Sequence, residues 1–374
     1  MKKVLIISFS AIRSDPRVMR QVRLLASGCD LTVAGFGDKP DANIRFVEVI
    51  KPRAGLVRKA VWALKLLAGA FESYYWSQYH VKAAARLLHD VVPDVIIAND
   101  LSALPLALEL AKGKPVIYDA HEYSPGEHED QLLWRLLFGR YNHAFCRKYL
   151  PRVASMLTVC QGIADEYARH YGAKPLVVHN APANQRLSPS SVRDGAIRMI
   201  HHGVASSARH LEVMIEMMAH LDQRFTLDMM LIEVEPGYMA FLRQKAQSDA
   251  RIRFVEPVPM PQICQRINEY DVGLYLLPPD NFNHRHALPN KFFEFVQARL
   301  AVAIGPSPEM ASLVRKYGCG VVAESFEPQA LARALAGLDT QDIQALKAAS
   351  HRAAEVLCFE QDGRIIEAEV QRLA

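Results

Sequence analysis

The chain has 374 residues, half of them apolar and 22% charged, with a net charge of +4. That length suits two domains, and the near-balanced charge argues against a dedicated nucleic-acid binder. No run of 18 or more uninterrupted apolar residues is present to span a bilayer. Six scattered cysteines without a Cys-x-x-Cys pair suggest neither a zinc site nor a disulfide framework; they read as small core residues in a reducing cytosol.

The first ten residues are apolar enough to pass for a leader. The sequence then turns charged at Arg13, Asp15 and Arg17, with no small-residue cleavage site, so a buried first strand over 3–10 is expected. A helix follows over 15–28, with Val18, Val22 and Leu25 on one face and Gly28 as its stop. Further strands are expected over 30–36, 94–100, 114–120, 154–160 and 175–180. These runs are nearly continuous in Val, Ile and Leu, the mark of parallel strands buried on both faces. Strand–helix alternation of this kind predicts a doubly wound α/β domain.

Residues 51–90 mix Arg53, Arg58, Lys59, Lys65, Lys82 and Arg86 with Trp62, Phe71, Tyr74, Tyr75, Trp76 and Tyr79. Such a stretch suits an anionic membrane surface, or equally a helix packed on its own sheet with a solvated basic face. The tract 181–198 is rich in Pro, Ser, Asn and charge and reads as a linker. Alternation then restarts, with strands over 197–203, 225–234, 252–258, 271–277, 300–306 and 319–324. Helices over 340–357 and 359–373 close the chain. The expected architecture is α/β: two doubly wound Rossmann-like domains facing across a cleft. The expected boundaries are 1–183, a linker over 184–196, and 197–358, with the last helix, 359–374, crossing back to the first domain.

In open parallel sheets ligands bind beyond the carboxyl ends of the strands. In the second domain "PPDNFNHRHALPNKFFEF" leads into a helix starting near Pro289 and Asn290. Its unpaired N–H groups and Lys291 suit a phosphate. Glu294, one turn in, accepts two hydroxyls of a vicinal diol, or merely complements the helix dipole. Gly203 allows a tight turn, after which Arg209 either clamps a diphosphate or is a solvated arginine. His201 and His202 read as strand-end packing rather than metal ligands. In the first domain Asp119, His121 and Glu122 close a strand. His121 either donates to a sugar hydroxyl or is a satisfied structural histidine. Asp15, Asn99 and Asp100 lie at strand ends and are acceptor candidates. There is no Gly-x-Gly-x-x-Gly after the first strand, which argues against a dehydrogenase, and no Asp-x-Asp to hold a metal–nucleotide.

The segments "SDPRVMRQVRLLA", "VIYDAHEYSP", "VVHNAP" and "LPNKFFEFVQARLAVAIGPSPEM" resemble those of retaining glycosyltransferases of the two-Rossmann (GT-B) fold, specifically family four. The resemblance implies a nucleotide-sugar bound mainly by the C-terminal domain. Glu294 then clamps the ribose, Arg209, Asn290 and Lys291 hold the diphosphate beyond Gly203, and His121 reaches the donor sugar. It implies retention, no metal and no other cofactor. It further implies a glycan or lipid-linked acceptor in bacterial surface polysaccharide synthesis, such as lipopolysaccharide or capsule, in the cytoplasm or peripheral on the plasma membrane. Two departures stand out. His286 occupies the place of the family's first acid, which makes it a catalytic candidate, and Gly203 is followed by Val204 rather than Arg. A nucleotide-sugar epimerase on the same fold, or a catalytically silent homologue that binds sugar or scaffolds an assembly, are the alternatives.

Overall fold

The computed structural model describes residues 1–40 and 43–374. The chain divides into two compact units. One comprises Met1–His179, Asn281–Asn283 and Asp362–Ala374; the other comprises Asn180–Asp280 and His284–Gln361.

The first unit carries β1 (Lys2–Ala11), β2 (Cys29–Phe36), β3 (Arg45–Glu48), β4 (Val95–Asn99), β5 (Val116–Ala120), β6 (Ser155–Thr158) and β7 (Leu176–Val177). They form one parallel sheet in the order β3-β2-β1-β4-β5-β6-β7. Leu5, Ile6, Ile7, Ile96, Ile97 and Ile117 are fully buried, as expected for central strands covered on both faces. The winding reverses between β1 and β4, which opens a crevice beyond their carboxyl ends. The edge strand β3 was not expected from the sequence: of its four residues Phe46 and Val47 are only half-buried and Arg45 and Glu48 are exposed, with no strong period. Asp15 caps the helix Pro16–Leu25 by accepting from the Arg17 and Val18 amides, and Pro16 pre-sets its first turn.

Residues 51–90 become the helices Leu56–Leu67, Phe71–Trp76 and Tyr79–Leu87. Most of their aromatic residues turn inward. Tyr74 and Tyr75 are buried, Trp62 meets Tyr74 edge-on at 6.1 Å, and Phe71 meets Tyr141 at 5.8 Å. What faces outward is aliphatic: Leu56, Val57, Leu64 and Leu67 are exposed, as are Leu132, Leu133 and Leu136 of the segment that begins at Leu132.

The second unit carries β8 (Ile197–Ala205), β9 (Phe225–Glu233), β10 (Ile252–Val255), β11 (Val272–Tyr275), β12 (Ala301–Ile304) and β13 (Gly320–Val322). They form a second parallel sheet, ordered β10-β9-β8-β11-β12-β13, whose winding reverses between β8 and β11. Met199, Met214, Met217, Met218 and Met229 fill much of its core. The tract 181–198 packs on this unit. Arg299 donates to the Leu187 carbonyl at 3.0 Å, Ser190 donates to the Asn268 carbonyl at 2.7 Å, and the buried Lys347 donates to Ser190 at 2.9 Å. A segment without a ladder must find side-chain donors for its carbonyls, and Arg299 supplies one for Leu187 and Asn268 one for Ser188. The last helix, Phe359–Leu373, belongs from Asp362 onward to the first unit, where Ile366 and Val370 are buried and Lys2 donates to the Gln371 carbonyl at 2.7 Å.

Candidate functional site

In the second unit the expected donor residues gather at the β8/β11 reversal. Gly203 sits near the end of β8 with φ of +137°. A Cβ there would lie 2.8 Å from Lys291 Nζ, so only glycine lets that ammonium pass close to the strand. Lys291 is the second residue of the helix Asn290–Gln297, which Pro289 precedes with an extended backbone. Its Nζ lies 3.4 Å from His201 Nε2 and 5.0 Å above the Tyr275 ring. Burial and the nearby Arg209 lower the Lys291 pKa to about 7, against the pull of Glu294. The cation is therefore held in a place that disfavours its own charge.

His201 and His202 are buried and neutral. His201 Nδ1 donates to the Leu274 carbonyl at 2.8 Å, and its ring stacks on Tyr275 at 6.2 Å. Burial, with Lys291 beside them, pushes the His201 pKa far down and that of His202 to about 3. Phe292, Phe293 and Phe295 are fully buried and fix the helix against the sheet. Phe295 meets the His202 ring edge-on at 5.3 Å. Glu294 alone of this run turns to the surface side, its carboxylate 3.4 Å from His202 Nε2 but too poorly aligned for that nitrogen to count as hydrogen-bonded. Three aromatic anchors thus hold one carboxylate rigidly one turn into a helix.

His286 follows the helix Phe282–Arg285. Its Nδ1 lies 2.9 Å from Glu309 Oε1, on the helix Pro308–Tyr317. The buried Ser307 reaches the carbonyls of Arg285 and Ala287, at 3.2 and 3.4 Å, and pins the same loop. Glu309 was not singled out in the sequence. Its one signal was its place just beyond a strand end.

In the first unit the β1/β4 reversal carries a buried polar network. Arg17 pairs with Asp119 through both carboxylate oxygens, at 2.7 and 2.5 Å, and donates to the Val178 carbonyl at 2.8 Å. Burial alone would raise the Asp119 pKa; the Arg17 guanidinium outweighs it and holds the carboxyl below its usual range. Gln21 donates to Asp119 at 2.5 Å and exchanges hydrogen bonds with Asn99 at 3.0 Å. Asn99 is fully buried and its Oδ1 lies 3.1 Å from His121 Nε2, which therefore carries the proton. Asp100 Oδ2 lies 3.3 Å from His121 Nδ1, and Asp100 Oδ1 accepts the His121 amide at 3.2 Å. Asp100 has φ of +62°, a strained conformation for a residue with a side chain. Asn99 thus supports the His121 ring from behind, and Asp15 spends its carboxylate on the helix cap and on Ser10, which donates at 2.7 Å. His121 and Asp100 open into a cavity of about 420 Å³ that Tyr74, Tyr141, Asn142 and Glu127 also line. Among the described residues no group of three His, Cys, Asp or Glu is placed to hold a metal ion.

Residues 22–181 match the model of Glycosyltransferase Family 4. No curated protein matches the chain. Solved structures share the fold across the full length. HepE of Anabaena, in complex with UDP and glucose, aligns with a TM-score of 0.70 at 16% identity, covering all of both chains. Sucrose-phosphate synthase of Thermosynechococcus elongatus aligns at 0.73 and 11%, covering 100% of this chain and 99% of that one. WaaG, a glycosyltransferase involved in lipopolysaccharide biosynthesis, aligns at 0.66 and 14%, covering 99% of each.

Proposed function

We propose that this chain, whose residues 22–181 match Glycosyltransferase Family 4 and whose GT-B fold is that of HepE and WaaG, transfers a sugar from a nucleotide-sugar to an acceptor hydroxyl. The observation that carries the reading is the cluster at the β8/β11 reversal, where Lys291 lies against Gly203 with its charge disfavoured, one turn before a rigidly held carboxylate.

In this reading the Glu294 carboxylate accepts both ribose hydroxyls. Lys291, Arg209 and the first amides of the helix Asn290–Gln297 take the diphosphate. Their main effect falls on the step itself. As the bond from the anomeric carbon to the phosphate oxygen breaks, negative charge grows on the leaving diphosphate, and preorganised cations stabilise it more than they stabilise the bound donor. No metal is needed for that neutralisation. The acceptor oxygen forms the new bond on the same face, with retention, and its proton passes to the leaving phosphate oxygen. His121, oriented by Asn99 and Asp100, lies against the donor sugar, and the acceptor occupies the cavity in front of it. His286, held by Glu309, takes the part of the family's first acid beside the donor sugar.

The acceptor class we favour is a glycan or lipid-linked saccharide of a bacterial surface polysaccharide, reached from the cytoplasm. No helix among the described residues is long and apolar enough to cross a membrane. The exposed Leu56, Val57, Leu64 and Leu67, with Arg58 and Lys59 on the same helix, suit peripheral attachment to an anionic bilayer. Absence of binding to phosphatidylglycerol vesicles at low salt would remove that part.

The test is thermal melting with UDP, GDP, CMP, dTDP and NAD, wild type beside Glu294→Ala. A ligand that binds the native state raises the melting temperature. A nucleoside diphosphate, UDP first, is expected to stabilise the wild type and not the variant. Stabilisation by NAD alone, or by nothing, overturns the donor assignment. Nucleotide binding without transfer to any acceptor would point to a silent homologue.

A further inference from the structure

A second cavity, of about 500 Å³, opens in the first unit beside the helix Leu56–Leu67. Lys51, Arg53 and Lys59 line it, and no carboxylate does. Trp62 and Tyr79 supply apolar walls. The donor and sugar contacts of the proposed function make no use of this charge; of the three cations only Lys59 also lies on the helix proposed for membrane attachment. A multiply charged anion in this cavity would meet three cations and no opposing carboxylate.

Its position says what kind of anion. Gln78 and His80 line this cavity and also the cavity in front of His121. The two spaces therefore meet across a two-residue wall. The His121 cavity offers carboxylates, amides and tyrosine rings, the chemistry that grips sugar hydroxyls and ring faces. The neighbouring one offers cations and aromatic walls. His80 stands edge-on to Phe9 at 4.7 Å. Burial, with Lys51 adjacent, holds its pKa at about 4, so at neutral pH it faces both cavities as an uncharged imidazole able to donate one hydrogen bond. Trp62 keeps its place in the wall by donating to Ser77 at 2.9 Å.

We propose that the cavity formed by Lys51, Arg53, Lys59, Trp62 and Tyr79 binds a phosphate or diphosphate group of the acceptor, whose sugar lies in the adjoining His121 cavity. The acceptor is then a phosphorylated saccharide rather than a neutral glycan. This rests on the reading of the first unit as the acceptor-binding one.

The experiment follows the Trp62 indole N–H by NMR, assigned with Trp62→Phe, in protein saturated with UDP so that the donor site is closed to the probe. Inorganic pyrophosphate is titrated into the wild type and into Arg53→Ala/Lys59→Ala, whose substituted residues are both exposed and lie outside the donor cluster. A saturable shift of the Trp62 signal is expected. In the double variant the dissociation constant should rise on the order of tenfold, as for loss of charge-assisted hydrogen bonds, with the UDP affinity unchanged. No shift at low salt, or a shift unaltered in the double variant, overturns the proposal. So does a shift produced by phosphatidylglycerol vesicles and not by pyrophosphate, since the cavity would then serve a membrane headgroup. Failure of UDP to bind would strike the donor assignment instead and leave the Trp62 titration readable.

Discussion

Gly203 and Lys291 occupy one space: a methyl group on the glycine would stand 2.8 Å from the lysine ammonium. The backbone at Gly203, with φ of +137°, disfavours any other residue as well. Gly203→Ala should therefore displace Lys291 and strain the strand end together. The expected result is at least a tenfold weaker nucleoside diphosphate affinity, read by calorimetry, in a protein that still folds. Unchanged affinity would mean the diphosphate does not lie over this strand end.

Lys291 gives a pH signature. Its pKa falls from 10.5 in the unfolded chain to about 7 in the free protein. A bound diphosphate pulls it back up, so binding at pH 8 to 9 should take up close to one proton. Affinity should then weaken by up to about tenfold per pH unit above 7. Calorimetry in buffers of different ionisation enthalpy measures the uptake directly. Lys291→Met should abolish the uptake as well as weaken binding.

The contact between His286 and Glu309 separates sugar from nucleotide. Glu309→Gln removes the charge that orients the imidazole at 2.9 Å and leaves the Glu294 region untouched. The transfer rate should drop by roughly ten- to a hundredfold, the size of a lost charged hydrogen bond, while UDP affinity stays within about twofold. An equal loss in both would mean that Glu309 merely holds the loop.

Acid stability should betray the neutral histidines. His202 has a folded pKa of about 3 and His80 one of about 4, against 6.5 unfolded; His201 is displaced in the same direction. Above pH 6.5 these groups are neutral in both states and the native state loses nothing to them. As the pH falls below 6.5 the unfolded chain binds protons that the folded one refuses. Stability then declines by about 1.4 kcal/mol per pH unit for each of the buried His201 and His202, and by less for the partly exposed His80. Urea unfolding between pH 7.5 and 5 should show that slope, and His202→Gln should remove one histidine's share of it.

Much of the fold was legible because it is local. Near-continuous apolar runs marked the twelve expected strands, and the structure mainly trimmed their ends. The expected strand 252–258 stops at Val255, just before Pro257 and Pro259, which have no amide for a ladder. Gly203, Lys291 and Glu294 were legible too, as a turn glycine and a helix start. The polar tract 181–198 was read from composition as a linker, whereas it packs on the second unit through Arg299 and Lys347, whose partners lie far along the chain. The aromatic residues of 51–90, taken together with the basic ones as a surface, mostly pack inward and leave aliphatic residues outside. Composition does not tell which face of a helix its neighbours cover.

By itself, then, the sequence determined the two doubly wound sheets and where each chain segment passes a strand end, because apolar period and helix-start signals are carried by adjacent residues. Only the tertiary structure decided which of those ends meet. Lys291 comes to Gly203 through the order of β8 and β11, Arg17 to Asp119 through that of β1, β4 and β5, and Glu309 to His286 through the loop that Ser307 ties down. Strand order and register arise from packing between distant segments, and no periodicity within a segment encodes them.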